Sequence, residues 1–278
     1  MAYQYDIQTS NFLNLLRSGA FNESKPIGIM SEYKWKQLIS LAWWHQLTPI
    51  LAKGVEHYYY DDQLNIPESQ IENIKQQLSS FPVMGFSDLY VFDHLHLKNK
   101  QLEGRLQQII RKEYGDPEKS YETMQLMAII ITNVENILTC KSFLRGIIDL
   151  GRYLRIDGDK VDFVKLEKWL SQTSMARLAE LQGNLLIEGF GFSKDELPFV
   201  SKVNAKAHKW IIRALMRREH DRHSSLSGAT PGNGFALSSP FTAYHTIRHT
   251  LAYRRLASRE VRSTIFQGII RGLAEIDE

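Results

Sequence analysis

The sequence predicts an all-α or mainly α protein: a bundle-like array of helices with a basic helical extension at its C-terminus. Three observations predict it. Apolar residues recur at three- and four-residue spacing through nearly every periodic segment. Strand-type alternation is scarce, and its best instance, Leu89 to Leu97, puts the carboxylate of Asp93 in the row that would face a core. The 278 residues, 43% hydrophobic and 23% charged, suffice for a sizeable core and exclude disorder as the overall state.

Taken in order, Phe12, Leu13, Leu15 and Leu16 mark a first helix with Ser10-Asn11 as its cap. Ser31 caps a second, carrying Trp35, Leu38, Ile39 and Ala42. Pro67-Glu68 open a third, with Ile71, Ile74 and Leu78. Phe92, Leu95, Leu102, Leu106 and Ile109 then line one face of a long helix ending near Tyr114-Gly115. Pro117 starts the most apolar helix, with Met127, Ile130, Ile131, Val134 and Ile137. Leu144, Ile147, Ile148 and Leu154 follow, then Leu166, Trp169 and Leu170, then Leu178, Leu181, Leu185 and Leu186. A helix from about Asn204 to Asp221 precedes a Ser-, Gly- and Pro-rich stretch, Ser224 to Pro240, expected to be a mobile loop. Two more helices carry Ile247 and Leu251, then Val261, Ile265, Ile269 and Leu273.

The chain divides into an N-terminal helical region (1–116), a helical core region (117–200) and the basic C-terminal helices (201–278). The expected central core joins Met127, Ile130 and Val134 to Ile147, Ile148 and Leu154. Asp149, with Arg145 one turn before it, reads as a surface ion pair worth under about 1 kcal/mol.

One cysteine, Cys140, excludes an intramolecular disulfide and a Cys-based zinc site, and suits a reducing cytoplasm. Residues 1–10 show no signal-peptide pattern. The apolar stretch Met124 to Ile131 falls far short of the ~20 residues a membrane helix needs. The expectation is a cytoplasmic protein with no membrane contact.

Charge is uneven. Residues 201–278 hold 13 Lys+Arg and 6 Asp+Glu, a net +7 against +3 for the whole chain. Lys202, Lys206, Lys209, Arg213 and Arg217 recur at helical spacing, opposite Val203, Ala207, Trp210 and Ile211. Arg248, Arg255, Arg259 and Arg262 repeat the pattern beyond the loop, giving net +9 within 202–262. A row of cations can neutralise phosphates and release counterions. The anion-binding candidates are therefore Lys206, Lys209, Arg213, Arg217, Arg255, Arg259 and Arg262. Their partner would be an acidic protein surface, a nucleic acid or another polyanion; the alternative is a solvated face.

No metal and no cofactor is expected. His245 and His249 share a helix face and Asp221 lies between His220 and His223, but no fixed ligand spacing accompanies them and the surrounding arginines would repel a cation. Asp157-Gly158-Asp159 lacks an EF-hand's spacing and terminal Glu, so it reads as a turn. Trp43-Trp44 and Tyr58-Tyr59-Tyr60 read as packing residues.

Several segments resemble the uncharacterised nucleotidyltransferase family of bacterial polysaccharide loci, especially its Bacteroidetes branch. They are Asn11 to Gly19; Ser31-Glu32 with Trp35, Leu38 and Ala42; and Gln46-Leu47-Thr48-Pro49-Ile50-Leu51 with Gly54-Val55. A second block follows with Leu144 to Leu150, Val161-Asp162-Phe163, Gly189 to Phe192 and Glu196-Leu197-Pro198-Phe199. The resemblance implies a mixed α/β catalytic domain between the blocks. It would carry a lysine-glycine step and a Gly-Asp-x-Asp-Leu strand whose two carboxylates hold the metal of a nucleoside triphosphate. Here the first block runs into the second near Gly115-Pro117. The one look-alike, Gly85 to Val91, keeps Asp88 and has Phe86 in place of the other acid, and Lys53-Gly54 falls in the helical block. The expectation is a relative of that family without its catalytic domain, a non-catalytic helical binding or scaffold module. Two alternatives stay open: an active, divergent transferase near Asp88 and Asp93, and a polyanion-binding protein using the basic stripe.

Overall fold

A computed structural model describes residues 4–58, 66–78, 86–139, 143–216 and 240–274. The order is α1 (Ile7–Phe21), α2 (Glu32–Trp44), α3 (Thr48–Glu56), α4 (Glu68–Leu78), α5 (Phe86–Leu89), α6 (Lys100–Tyr114), α7 (Tyr121–Leu138) and α8 (Leu144–Asp157). It continues with α9 (Phe163–Gln172), α10 (Ala176–Phe190), α11 (His208–Met216), α12 (Pro240–Leu251) and α13 (Ser258–Ala274). The described residues contain no strand, so the all-α expectation holds. None of their helices is long and apolar enough to cross a membrane.

The core is built round α7. Leu126 to Ile131 are buried on every side of that helix, as expected of one surrounded by others. Ile147, Ile148, Leu154, Met127, Ile130 and Val134 are all buried, as the sequence indicates. Close approach of α7 and α8 depends on Gly146, where a β-carbon would collide with the Asn133 side chain. Asn133 donates its amide to the Gly146 carbonyl (2.9 Å) and to Gln182 Oε1 (3.0 Å); Gln182 in turn donates to the Ile130 carbonyl (3.1 Å). This buried amide pair fixes α10 against α7 and α8. Near the N-terminus α1 crosses α3 at Gly19 and Gly54, where added β-carbons would overlap the Ile50 and Leu15 carbonyls.

Side-chain oxygens of Asp6, Ser31, Asn99, Ser120 and Asp162 cap α1, α2, α6, α7 and α9. Several expected boundaries move accordingly. The first helix starts at Ile7, and Asn11 is a buried residue exchanging hydrogen bonds with the backbone of Gly28. Pro117 lies in a turn and Ser120 opens α7. The long helix through Phe92 and Leu95 breaks up. A 3-10 turn spans Phe92–His94, Leu95 is extended (φ −71°, ψ 135°), and α6 begins only after the Asn99 cap. Phe92 and Leu95 are still buried, so apolar spacing reported burial correctly and continuity wrongly.

The helix expected from Asn204 starts later than its periodicity suggests. Ala205 to Ala207 form a turn and α11 starts at His208, which leaves Lys202 and Lys206 before the helix. The expected mobile loop lies, as far as residue 239, outside the described residues, as do Arg217, His220, Asp221, His223, Tyr59, Tyr60, Gly85 and Cys140. Trp43 is 43% exposed, with its ring edge-on to Trp44, which corrects the expectation that it packs.

The surface ion pair expected at Asp149 is corrected most sharply: Asp149 is 0% exposed. Its carboxylate takes hydrogen bonds from Arg145 Nε (2.9 Å) and the Tyr90 hydroxyl (3.0 Å), with Arg152 at 3.5 Å. Burial, then the Asp149 charge, pushes the Tyr90 hydroxyl far above its ordinary pKa. Arg145 also donates to the Gln46 carbonyl (3.3 Å). One buried carboxylate thus ties α8 to the turn before α3 and to the segment before α6.

The last two helices dock at the ends of α7 and α6. His249 contacts the Ile137 carbonyl (2.9 Å), and Thr250 donates to the Leu138 carbonyl (2.8 Å), satisfying acceptors that α7 leaves open at its C-terminus. The Glu260 carboxylate accepts the backbone N–H groups of Lys98 and Asn99, and Asn99 Nδ2 donates to Ser263 (3.0 Å). This contact sets the start of α13 beside the start of α6 and leaves a cleft between them.

Candidate anion-binding site

The cleft has a volume of about 490 Å³ and lies between α6, the α9–α10 turn and the start of α13. Its floor is apolar: Leu102, Met175, Leu256 and Ala257. Its rim carries four guanidinium groups, from Arg105, Arg177, Arg255 and Arg259, all exposed. None of the four makes an ion pair with a described residue. Among the described residues, Arg105 and Arg177 are each held by a single hydrogen bond from Nη1, to the carbonyls of Gln172 and Arg255 (both 3.0 Å). A guanidinium has five donors, so these anchored groups keep most of their capacity for a ligand.

Two long helices open on the same space. The residue before α10, Met175, has no side-chain oxygen, and no side-chain hydrogen bond caps that helix. Ala257 occupies the corresponding place before α13, accepting the Val261 N–H on its carbonyl. The first N–H groups of both helices have no intrahelical partner, and each end carries a partial positive charge. Arg177 and Arg259 stand in these first turns, where a cation is disfavoured by the helix dipole. An anion in the cleft would relieve that conflict and the repulsion among the four guanidinium groups.

The one carboxylate among the described lining residues cannot do so. Glu260 is 3% exposed and its oxygens face the Lys98 and Asn99 N–H groups. Burial raises its pKa above the ordinary value, with those two donors pulling the other way. Among the described residues the lining has no histidine, cysteine or lysine to act as a base beside its serines, Ser171, Ser174 and Ser258. The geometry is that of a receptor for negative charge.

The sequence candidates divide. Arg255 and Arg259 line the cleft. Arg262 is exposed on α13 outside it, and Lys209 and Arg213 are exposed on α11, with Lys206 in the preceding turn. Arg213 lies 5.4 Å over the Trp210 ring, which stacks on Tyr253 at 4.6 Å. Sequence reasoning missed Arg105 and Arg177. The signal for Arg177 was its position: a cation two residues into a helix that has no acid in its first turn. Arg105 carried none, being one polar residue among several on α6.

Asp88, on α5, and Asp93, in the 3-10 turn, are both exposed. Among the described residues no three His, Cys, Asp or Glu side chains gather as a metal site would require. Compared with family models, with curated proteins and with solved structures, the chain matches none.

Proposed function

We propose that this protein is a non-catalytic helical binding module whose ligand is a phosphate-bearing anion held in the arginine cleft. The observation that carries the reading is the meeting of four guanidinium groups, none in an ion pair with a described residue, with two helix N-termini, of which that of α10 has no side-chain cap. Arginine forks match phosphate oxygens in pairs, and helix N-termini add N–H donors aimed at the same charge. Two further features favour binding over chemistry. The described residues of the lining offer no free general base, and Asp88 and Asp93 sit exposed on a short helix and a separate turn. The helical path from Lys100 to Leu138, where the resemblance to polysaccharide-locus nucleotidyltransferases implies a catalytic domain, supports a relative that works without one.

The test is pyrophosphate binding by calorimetry and thermal shift at low salt. Saturable binding is expected, with stabilisation of about 2.7 kcal/mol at a hundredfold excess over Kd. Arg177→Ala and Arg255→Ala should each weaken it about tenfold or more, as loss of a charge-assisted hydrogen bond requires. Absence of binding, or binding indifferent to both substitutions, overturns the proposal. So does turnover of magnesium-bound nucleoside triphosphate by the purified chain.

A further inference from the structure

A second cleft, about 450 Å³, lies between α6 and α9. Four cations line it: Arg105, Lys112, Lys165 and Lys168. Arg105 belongs to both clefts, pinned by its bond to the last carbonyl of α9. The α9 terminus is likewise shared, with Ser171 facing the first cleft and Gln172 the second. From Arg105 to Lys112 the second cleft runs roughly 10 Å along α6, at 1.5 Å per residue. Lys112 and Lys168 are exposed and form no ion pair with a described residue. Lys165 holds the buried Glu113 (2.8 Å), which also accepts the Ser120 N–H (3.0 Å), so that carboxylate is already occupied. Asp116, the other acid here, accepts the Glu118 N–H (2.9 Å).

We propose that the two clefts form one trench for a single-stranded phosphodiester chain, such as an oligonucleotide, read through its backbone. This rests on the arginine cleft being an anion site. A lone phosphate group would fill the first cleft and leave Lys112 and Lys168 without a role. The cations of the second cleft flank apolar Ile109 and Trp169 and the amides of Gln108 and Gln172. A chain alternating charged and organic units suits that alternation, whereas an unbroken run of phosphates would meet apolar surface. Trp169 is 6% exposed and offers no open stacking face, so recognition is electrostatic and tolerant of base sequence.

The experiment measures fluorescence anisotropy of labelled oligothymidylates of two, six and twelve nucleotides with the full chain, beside calorimetry with pyrophosphate. Affinity should rise at least tenfold from two to six nucleotides and then level off. It should fall about a hundredfold between 50 and 200 mM salt if roughly five phosphates are neutralised. Lys112→Ala with Lys168→Ala should cost the six-nucleotide chain about tenfold and leave pyrophosphate binding unchanged. Both side chains are exposed, and an unchanged melting temperature confirms folding. Affinity independent of length, or indifferent to that double substitution, overturns the trench while pyrophosphate binding still supports the cleft. Loss of pyrophosphate binding as well overturns both. Tighter binding of duplex DNA, inorganic polyphosphate or heparin at equal charge overturns the assignment to a single strand.

Discussion

Two basic regions of this molecule share their chemistry and differ in arrangement. On α11 and the turn before it, Lys206, Lys209 and Arg213 are exposed and line neither of the two clefts. Around the cleft, Arg105, Arg177, Arg255 and Arg259 converge over an apolar floor from elements far apart in the chain. Charges spread along an exposed helix face are screened beyond a Debye length of about 10 Å and add little to one another. Charges round a concavity with a low-dielectric wall act on the same ligand atom. The contrast teaches that a count of cations measures attraction to polyanions in general, whereas a site needs convergence.

Charge reversal should sharpen this comparison most. Arg177→Glu with Arg255→Glu removes two charge-assisted contacts and should cost about 4 kcal/mol of pyrophosphate affinity. Lys209→Glu with Arg213→Glu, the same change of charge on α11, should cost under about 1 kcal/mol. Titration calorimetry at one salt concentration compares them, and equal losses would erase the distinction.

Next in size is a change that should affect neither region alone. Ile148 is fully buried, and Ile148→Ala should lower folding stability by about 2–5 kcal/mol in urea titration. The pyrophosphate Kd of the protein still folded should stay within a factor of two. A large change in Kd would tie the cleft to core packing.

A third basic cluster tests whether pairing separates the regions. Arg145 and Arg152 already face a buried carboxylate, so Arg145→Ala should leave anion affinity unaltered. Asp149→Ala leaves the Tyr90 hydroxyl without its acceptor and should cost about 1–3 kcal/mol of stability. A cost near zero would return Asp149 to the surface role that its sequence neighbourhood suggests.

The smallest effect concerns Glu260. Its folded pKa lies above the ordinary 4.5, so between the two values the folded state holds more protons than the unfolded one. Its contribution to stability is therefore greatest below the ordinary range and falls as pH rises through the folded value. Denaturant midpoints from about pH 4 to pH 7 should show this decline in the wild type, with a flatter profile in Glu260→Gln. Parallel profiles would remove the carboxyl as its source.

The sequence by itself determined the all-α class, the faces that meet in the core, and the Ser31 and Glu68 helix starts. Helical periodicity and capping chemistry are local, and burial of Ile147, Ile148, Met127 and Val134 follows from an apolar stripe whatever it packs on. It placed the excess of positive charge in the last third of the chain and named Arg255 and Arg259. Only the tertiary structure decided that those two face Arg105 and Arg177, seventy or more residues away. That convergence depends on Glu260 reaching the Lys98 and Asn99 N–H groups, a contact between segments that carry no pattern in common. The same holds for Asp149, which looks like half of an exposed i,i+4 pair until the Tyr90 hydroxyl meets it in the interior. Periodicity tells which face of a helix leaves water; what covers that face, and which distant cations share a hollow, is set by packing between elements.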